Sequence, residues 1–123
     1  MNFKNQKAIY VQIADHIIDS ILGANLKGGD RLQSVREMAA TVQVNPNTVV
    51  RTYGYLQDEG IIFNKRGIGY FVAEDAQQKT QALRRTAFIE NVLPELFSQM
   101  KLLGIDFEEL QKIYKKMNNG TEK

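Results

Sequence analysis

A chain of 123 residues, 43% hydrophobic and 24% charged, has the composition of one ordinary globular domain, or of one small domain with an appendage. Cysteine is absent, which excludes disulfides and thiolate metal sites and fits a reducing cytoplasm; no apolar run approaches the ~20 residues of a membrane span, and the N-terminus lacks the apolar core of a signal peptide. The formal net charge is only +2, and residues 1–75 balance eight Lys and Arg against eight Asp and Glu, so a polyanionic partner would have to be met by local placement of charge.

Residues 9–22, IYVQIADHIIDSIL, set Tyr10, Ile13, Ala14, Ile17, Ile18 and Ile21 at i, i+3, i+4 spacing, with Gln12, Asp15, Asp19 and Ser20 on the other side. This is the pattern of an amphipathic helix. Gly23 is placed to cap its C-terminus, and KGGD at 27–30 is turn chemistry. A second helix opens at Ser34, with Glu37 completing an S-x-x-E capping box and Val35, Met38, Ala39 and Val42 as its buried side.

The stretch VNPNTVVRTYGYLQDEGII, 44–62, starts a third helix abruptly. Asn45 is the N-cap, and Pro46 falls at the first helical position, where a missing N–H costs nothing. Val49, Tyr53 and Leu56 make an inward stripe; Asn47, Arg51 and Asp58 face the opposite way, with Thr48 and Tyr55 on the flank. Two helices joined by so short a turn form a helix-turn-helix, whose second helix reads DNA with residues near its N-terminus. Asn47, Thr48 and Arg51 lie there.

Beyond Gly60 the pattern changes. IIFN and YFVA flank KRGIG, a hairpin with a basic, glycine-containing tip. Residues 74–80, EDAQQKT, read as a polar link. A helical region over about 81–103 carries Leu83, Ala87, Val92, Leu96, Met100 and Leu103, with Pro94 forcing a kink or break. Gly104 ends it. Asp106 caps a last helix with Glu109 at N3 and Phe107, Leu110, Ile113, Tyr114 and Met117 along one side; the tail NNGTEK is expected to be disordered.

The chain offers little to an enzyme. His16, the only histidine, lies on the polar side of the first helix and reads as a surface residue rather than a catalytic group or metal ligand. The carboxylates are scattered or used as caps, and GIG at 67–69 is far short of a phosphate-binding glycine loop. No catalytic residue, metal site or cofactor is expected. For nucleic acid the residues agree better. Asn47 can present its amide to an adenine edge, and Arg51 can reach a guanine or a phosphate. Arg36, in the first turn of the second helix, suits a phosphate; Lys65 and Arg66 with Gly67 suit the backbone or a minor groove. With about three to five basic contacts per subunit, a single copy would bind weakly, so a dimer on two half-sites is expected. The C-terminal helices are too few to close a core alone, and Leu96, Met100, Leu103, Leu110, Ile113 and Tyr114 are expected to meet a second copy.

Residues 10–72 resemble the winged-helix domain of the GntR family. The likeness runs through the Tyr10-x-Gln12-Ile13 opening, Gly29-Asp30-Arg31-Leu32, Ser34-Val35-Arg36-Glu37, Asn47-Thr48-Val49, Glu59-Gly60 and the Gly67-x-Gly69 wing. VNPNTV and the short two-helix tail further resemble the YtrA-like subfamily. That resemblance implies DNA contacts from Arg36, from Asn47 and Thr48, and from Gly67 with its basic neighbours. It also implies a dimerisation tail and repression of transporter operons, and leaves room for a small-molecule effector at the dimer interface. Gly28 and Gln33 stand where the family often has prolines, Gln43 where it has a turn glycine, and Pro46 and Val50 where many members carry arginines. Arg51, and Val50 against a thymine methyl, are the expected replacements. The expected architecture is therefore mainly α with a small β-hairpin wing: a winged helix-turn-helix over 1–75 and a helical dimerisation region over 76–123. The expected function is a cytoplasmic, homodimeric repressor on double-stranded operator DNA, with no membrane partner. The rival is a winged helix serving as a protein-interaction adaptor without an operator.

Overall fold

A computed structural model describes residues 7–121. The elements run α1 (Ile9–Leu22), α2 (Val35–Val42), α3 (Pro46–Asp58), β1 (Ile62–Lys65), β2 (Gly69–Val72), α4 (Ala76–Ala87), a π-helical turn (Phe88–Val92), α5 (Leu93–Leu103) and α6 (Phe107–Thr121). The chain divides into two compact units, one ending at Leu83 and one beginning at Arg84. The architecture is mainly helical with one two-stranded antiparallel hairpin. Among the described residues no helix is long and apolar enough to cross a membrane.

In the first unit the inward stripes meet as their spacing requires. Ile13, Ala14, Ile17, Ile18 and Ile21 of α1 join Met38 and Ala39 of α2 and Val49, Tyr53 and Leu56 of α3 in one buried cluster, closed by Leu32, Ile61, Ile62 and Val72. Local chemistry sets each boundary. Ser34 Oγ accepts the Glu37 amide at 3.1 Å while the Glu37 carboxylate accepts the Ser34 amide at 2.9 Å, so the capping box forms in full. Asn45 Oδ1 accepts the Asn47 amide at 2.8 Å, with Pro46 opening α3. Gly23 does cap α1, but at φ −82°; the left-handed position after it falls to Ala24 at φ 63°. The end of α2 is made by Gln43 at φ 58°, a conformation whose cost, about 1 kcal/mol for a residue with a Cβ, a glycine would avoid.

The segment after α1 works as a seam. Lys27 to Asp30 form a tight turn, with Gly29 at φ 89°, the Asp30 amide bonded to the Lys27 carbonyl at 2.9 Å, and the Asp30 carboxylate accepting the Lys27 amide. Backbone pairs then run from Gly29 and Asp30 to Val72, and from Leu32 to Tyr70, so this segment lies along β2 on the side away from β1. A side chain on Gly28 would strike the Glu74 backbone at 2.8 Å, which accounts for glycine at that position.

The polar stretch expected to link the units is not a linker. α4 already begins at Ala76; Ala76 and Thr80 are buried, and Leu83 packs against the first unit's core. Its apolar residues are too few and too small to register as a stripe, which is why 74–80 read as a polar link. In the second unit the consequence of Pro94 is a π-helical turn. The Leu93 N–H reaches back to the Phe88 carbonyl, five residues away, and Pro94, lacking an N–H, sits at the start of α5 where none is needed. Gly104 at φ 72° ends α5, and Asp106 Oδ1 accepts the Glu109 amide at 2.8 Å to start α6. α6 continues to Thr121, further than the tail NNGTEK was expected to be ordered; Glu122 and Lys123 lie outside the described residues.

Tyr53 holds three parts of the first unit together. It is fully buried, its hydroxyl donates to the Gln33 carbonyl at 2.7 Å, and its ring meets Tyr70 of β2 edge-on at 4.8 Å between centroids. Burial pushes its phenol up from the usual 10 to about 12. Because the folded value is the higher, this contribution to stability is complete below pH 10 and is lost as pH rises from 10 to 12. Chemical denaturation of Tyr53→Phe is expected to show a loss of about 1 kcal/mol near neutrality and a flatter decline than wild type between pH 10 and 12. Parallel declines would exclude this role.

Candidate nucleic-acid interface

With Val49, Thr52, Tyr53 and Leu56 turned inward, the helical repeat dictates which residues of α3 face out. Asn47, Val50 and Asp58 are exposed along the outer side, with half-buried Gly54 in line between Val50 and Asp58 and Arg51 beside them toward α1. Asn47 is exposed and Thr48 half-exposed. Val50 is 53% exposed, a large value for an apolar residue on a helix whose other valine, Val49, is fully buried. The helix cannot roll to hide it. Thr52, fully buried on the opposite flank, donates its hydroxyl to the Tyr10 carbonyl of α1 at 2.9 Å, with the Thr48 carbonyl at 3.1 Å.

Arg51 is on the exposed surface, but its guanidinium is not extended into solvent. It lies over the Tyr10 ring, 4.1 Å from the centroid. This cation–π contact accounts for Tyr10 at the edge of the α1 stripe, half-exposed where the other members are buried. Tyr55 completes that flank; partial burial, followed by the nearby Glu59 and Asp15 carboxylates, raises its phenol above the ordinary value. The side chain of Arg51 is thus pre-positioned on α1.

Arg36 is exposed at the second position of α2. Its neighbour Glu37 does not serve as its counter-charge, because that carboxylate is committed to the capping box. Hydrogen bonds from the Ser34 backbone and then its hydroxyl hold Glu37 below the usual carboxylate value. The α2 N-terminus, which attracts anions through its dipole, carries Arg36 in its first turn.

At the hairpin the register pairs Phe63 with Phe71 and Lys65 with Gly69. Lys65 and Gly69 therefore belong to the strands rather than to the loop expected from KRGIG, which leaves Arg66, Gly67 and Ile68 at the tip. Gly67 takes φ 78° and the Ile68 amide closes the turn on the Lys65 carbonyl at 2.8 Å. Lys65 rests over the Phe71 ring, 4.7 Å from its centroid, while Phe63 and Phe71 stack at 5.9 Å on the same face. Arg66 and Gly67 are exposed at the tip itself.

Arg31 was given no role from sequence. Its Nη2 donates to the Ile68 carbonyl at 2.8 Å, across 37 positions of sequence. A side chain on Gly69 would meet the same guanidinium at 3.1 Å, and the Arg31 backbone bridges to Phe71. Arg31 therefore ties the wing tip to the seam between α1 and α2. Only the preceding turn could have flagged it; its partner is far away in the chain.

All the expected DNA-contacting residues fall in the first unit, and all the expected dimer-forming residues in the second. Of the latter, Met100 is buried within its own chain and Leu110 is half-buried; Leu96, Leu103, Ile113 and Tyr114 are exposed. Phe88, Ile89, Phe97, Leu102, Phe107 and Met117 are exposed as well.

The model of the family described as bacterial regulatory proteins, gntR family, matches residues 9–72, from the start of α1 to the end of β2. At 40% identity over 118 residues, 96% of each chain, the protein is similar to the uncharacterised HTH-type transcriptional regulator YhcF of Bacillus subtilis (strain 168). It is 33% identical over 115 residues, 94% of this chain and 88% of the other, to the HTH-type transcriptional repressor YtrA of the same organism. A crystal structure of a GntR-family chain from Bacteroides thetaiotaomicron matches with a TM-score of 0.81 at 42% identity, over 94% of this chain and all of the other.

If Arg31 braces the wing, Arg31→Ala should leave α3 protected while the amides of residues 68–70 exchange several-fold faster, as read by NMR-detected hydrogen exchange. Uniform acceleration through the core would mean a general loss of stability, and unchanged exchange would remove the brace.

Proposed function

Because the chain belongs to the gntR family of bacterial regulatory proteins, we propose that it acts in the cytoplasm as a homodimeric repressor, binding two half-sites of an operator that controls a transporter-type operon. In this reading α3 enters the major groove and presents Asn47, Thr48 and Val50 to base edges, with Arg51 at its flank. Arg36 holds a phosphate. Lys65, Arg66 and Gly67 of the wing touch the backbone or the adjacent minor groove.

The observation that carries the reading is the exposed line of α3. A polar amide and a large apolar side chain stand side by side in solvent on a helix whose other face is locked into the core. A groove that offers both hydrogen-bonding edges and thymine methyls uses both kinds of group. A protein-interaction adaptor would not need the basic tip or Arg36. Repression is supported by the likeness to the YtrA repressor of Bacillus subtilis.

Dimerisation is supported by the second unit's surface. Leu103 is 68% exposed and Phe107 71% exposed, with Phe88, Phe97, Tyr114 and Met117 also half or more exposed. Monomeric soluble proteins rarely leave contiguous apolar patches of more than a few hundred Å² uncovered. Two copies also remedy the weak charge. One subunit brings about three to five basic contacts; two bring roughly six to ten, enough for a steep salt dependence and useful affinity.

Light scattering is expected to give twice the chain mass, and Leu103→Asp to lower both that mass and DNA retention. On a duplex recognised by wild type, Arg36→Ala should weaken binding to all sequences and shallow the salt slope. Asn47→Ala should instead relax preference at one base pair by about 1–3 kcal/mol. If neither substitution changed DNA binding, the adaptor would be the better account.

A further inference from the structure

α3 carries one glycine, Gly54, in its third turn. Nothing in the fold asks for it. Its backbone is not among the left-handed glycines, and a Cβ built there would meet no heavy atom within 4 Å among the described residues beyond its chain neighbours and the backbone of its own helix. Glycine in a helix interior is less stable than alanine, so the residue weakens α3 without relieving any contact.

Its position supplies a reason. Asn47, Val50 and Gly54 follow one another at i, i+3 and i+7, along a single line of the exposed face, with roughly 10 Å from first to last. From Asn47 to Gly54 the line falls in height from an amide to an isopropyl group to no side chain, one turn before Asp58 at the far end of the helix. Both groups that this line offers to the bases are short. An arginine can span the gap from a helix held well off the groove floor; Asn47 and Val50 cannot, and must be carried inward by the backbone. A helix with side chains is about as wide as the major groove, so any side chain projecting on that line limits how far α3 can enter.

We propose that Gly54 sets the docking depth of α3: its missing side chain lets the helix enter far enough for Asn47 and Val50 to reach an adenine edge and a thymine methyl. This rests on the DNA-binding reading above and deepens it. Gly54 is a positioning residue, and the chain trades helix stability for closeness to its target.

The test uses the full chain, a duplex selected by wild type from a randomised library, and a scrambled duplex of equal length. Gly54→Ala is expected to raise Tm by a few degrees and to weaken the selected duplex about tenfold. Gly54→Leu should weaken it further, with the scrambled duplex changed little by either. Greater stability with poorer recognition cannot come from a structural role. Unchanged affinity in Gly54→Ala, or a Tm that falls with affinity, overturns the inference. Arg36→Ala on the same duplexes separates the two levels. Loss there with none in Gly54→Ala leaves DNA binding standing and removes the depth argument, whereas a library that yields no preferred duplex removes both.

Discussion

The buried phenol of Tyr53 is the constraint on which the rest of the first unit depends. A tyrosine can be buried at little cost only when its hydroxyl finds a partner. Here that partner is the Gln33 carbonyl, in the segment leading into α2, while the ring edge meets Tyr70 of the wing. One side chain thereby sets the rotation of α3 about its axis relative to both neighbours. Thr52, bonded to the first turn of α1 from the other flank, removes the remaining freedom. With those two positions held, the outward placement of exposed Asn47 and Val50 and of half-buried Gly54 is no longer a choice of the surface residues. It follows from what the opposite face must satisfy.

The same arrangement explains where the cations sit. The first unit has no basic field, and several of its cations are held by their own chain, among them Arg31 by the Ile68 carbonyl, Arg51 by Tyr10, and Lys65 by Phe71. Long side chains lose rotamer freedom when they bind, and aromatic or carbonyl partners remove part of that cost beforehand. Arg36 and Arg66 carry their charge at the first turn of α2 and the tip of the wing. A weakly charged protein arranged in this way relies on geometry more than on electrostatic attraction.

Much of this was legible because it is encoded within three or four residues. The Ser34–Glu37 box, Asn45 before Pro46, Asp106 before Glu109, and Gly67 in the turn each bind a backbone group close by, so their spacing alone places a helix start or a turn. The inward stripes of α1 and α3 were legible for the same reason. What escaped the sequence depends on partners brought near by folding. Arg51 was read as free to reach DNA, and finding it over Tyr10 needed the α1–α3 packing. Arg31 needed the wing. Residues 76–80 read as a polar link because Ala76 and Thr80 bury little surface each, though both are enclosed. Pro94 announced a break but not its form, since a π-helical turn is set by which carbonyl the preceding amides can still reach. Gly54 drew no notice because a mid-helix glycine reads simply as a weakness.

The central claim is that the exposed line of α3 meets DNA. Titrating the labelled protein with a duplex and following side-chain and amide signals by NMR tests it at single residues. The Asn47 side-chain amide, the Val50 methyls and the Gly54 and Gly67 amides are expected to move together while Tyr53 and Leu56 stay in place. Movement confined to residues 88–117, with the α3 signals unchanged, would contradict it.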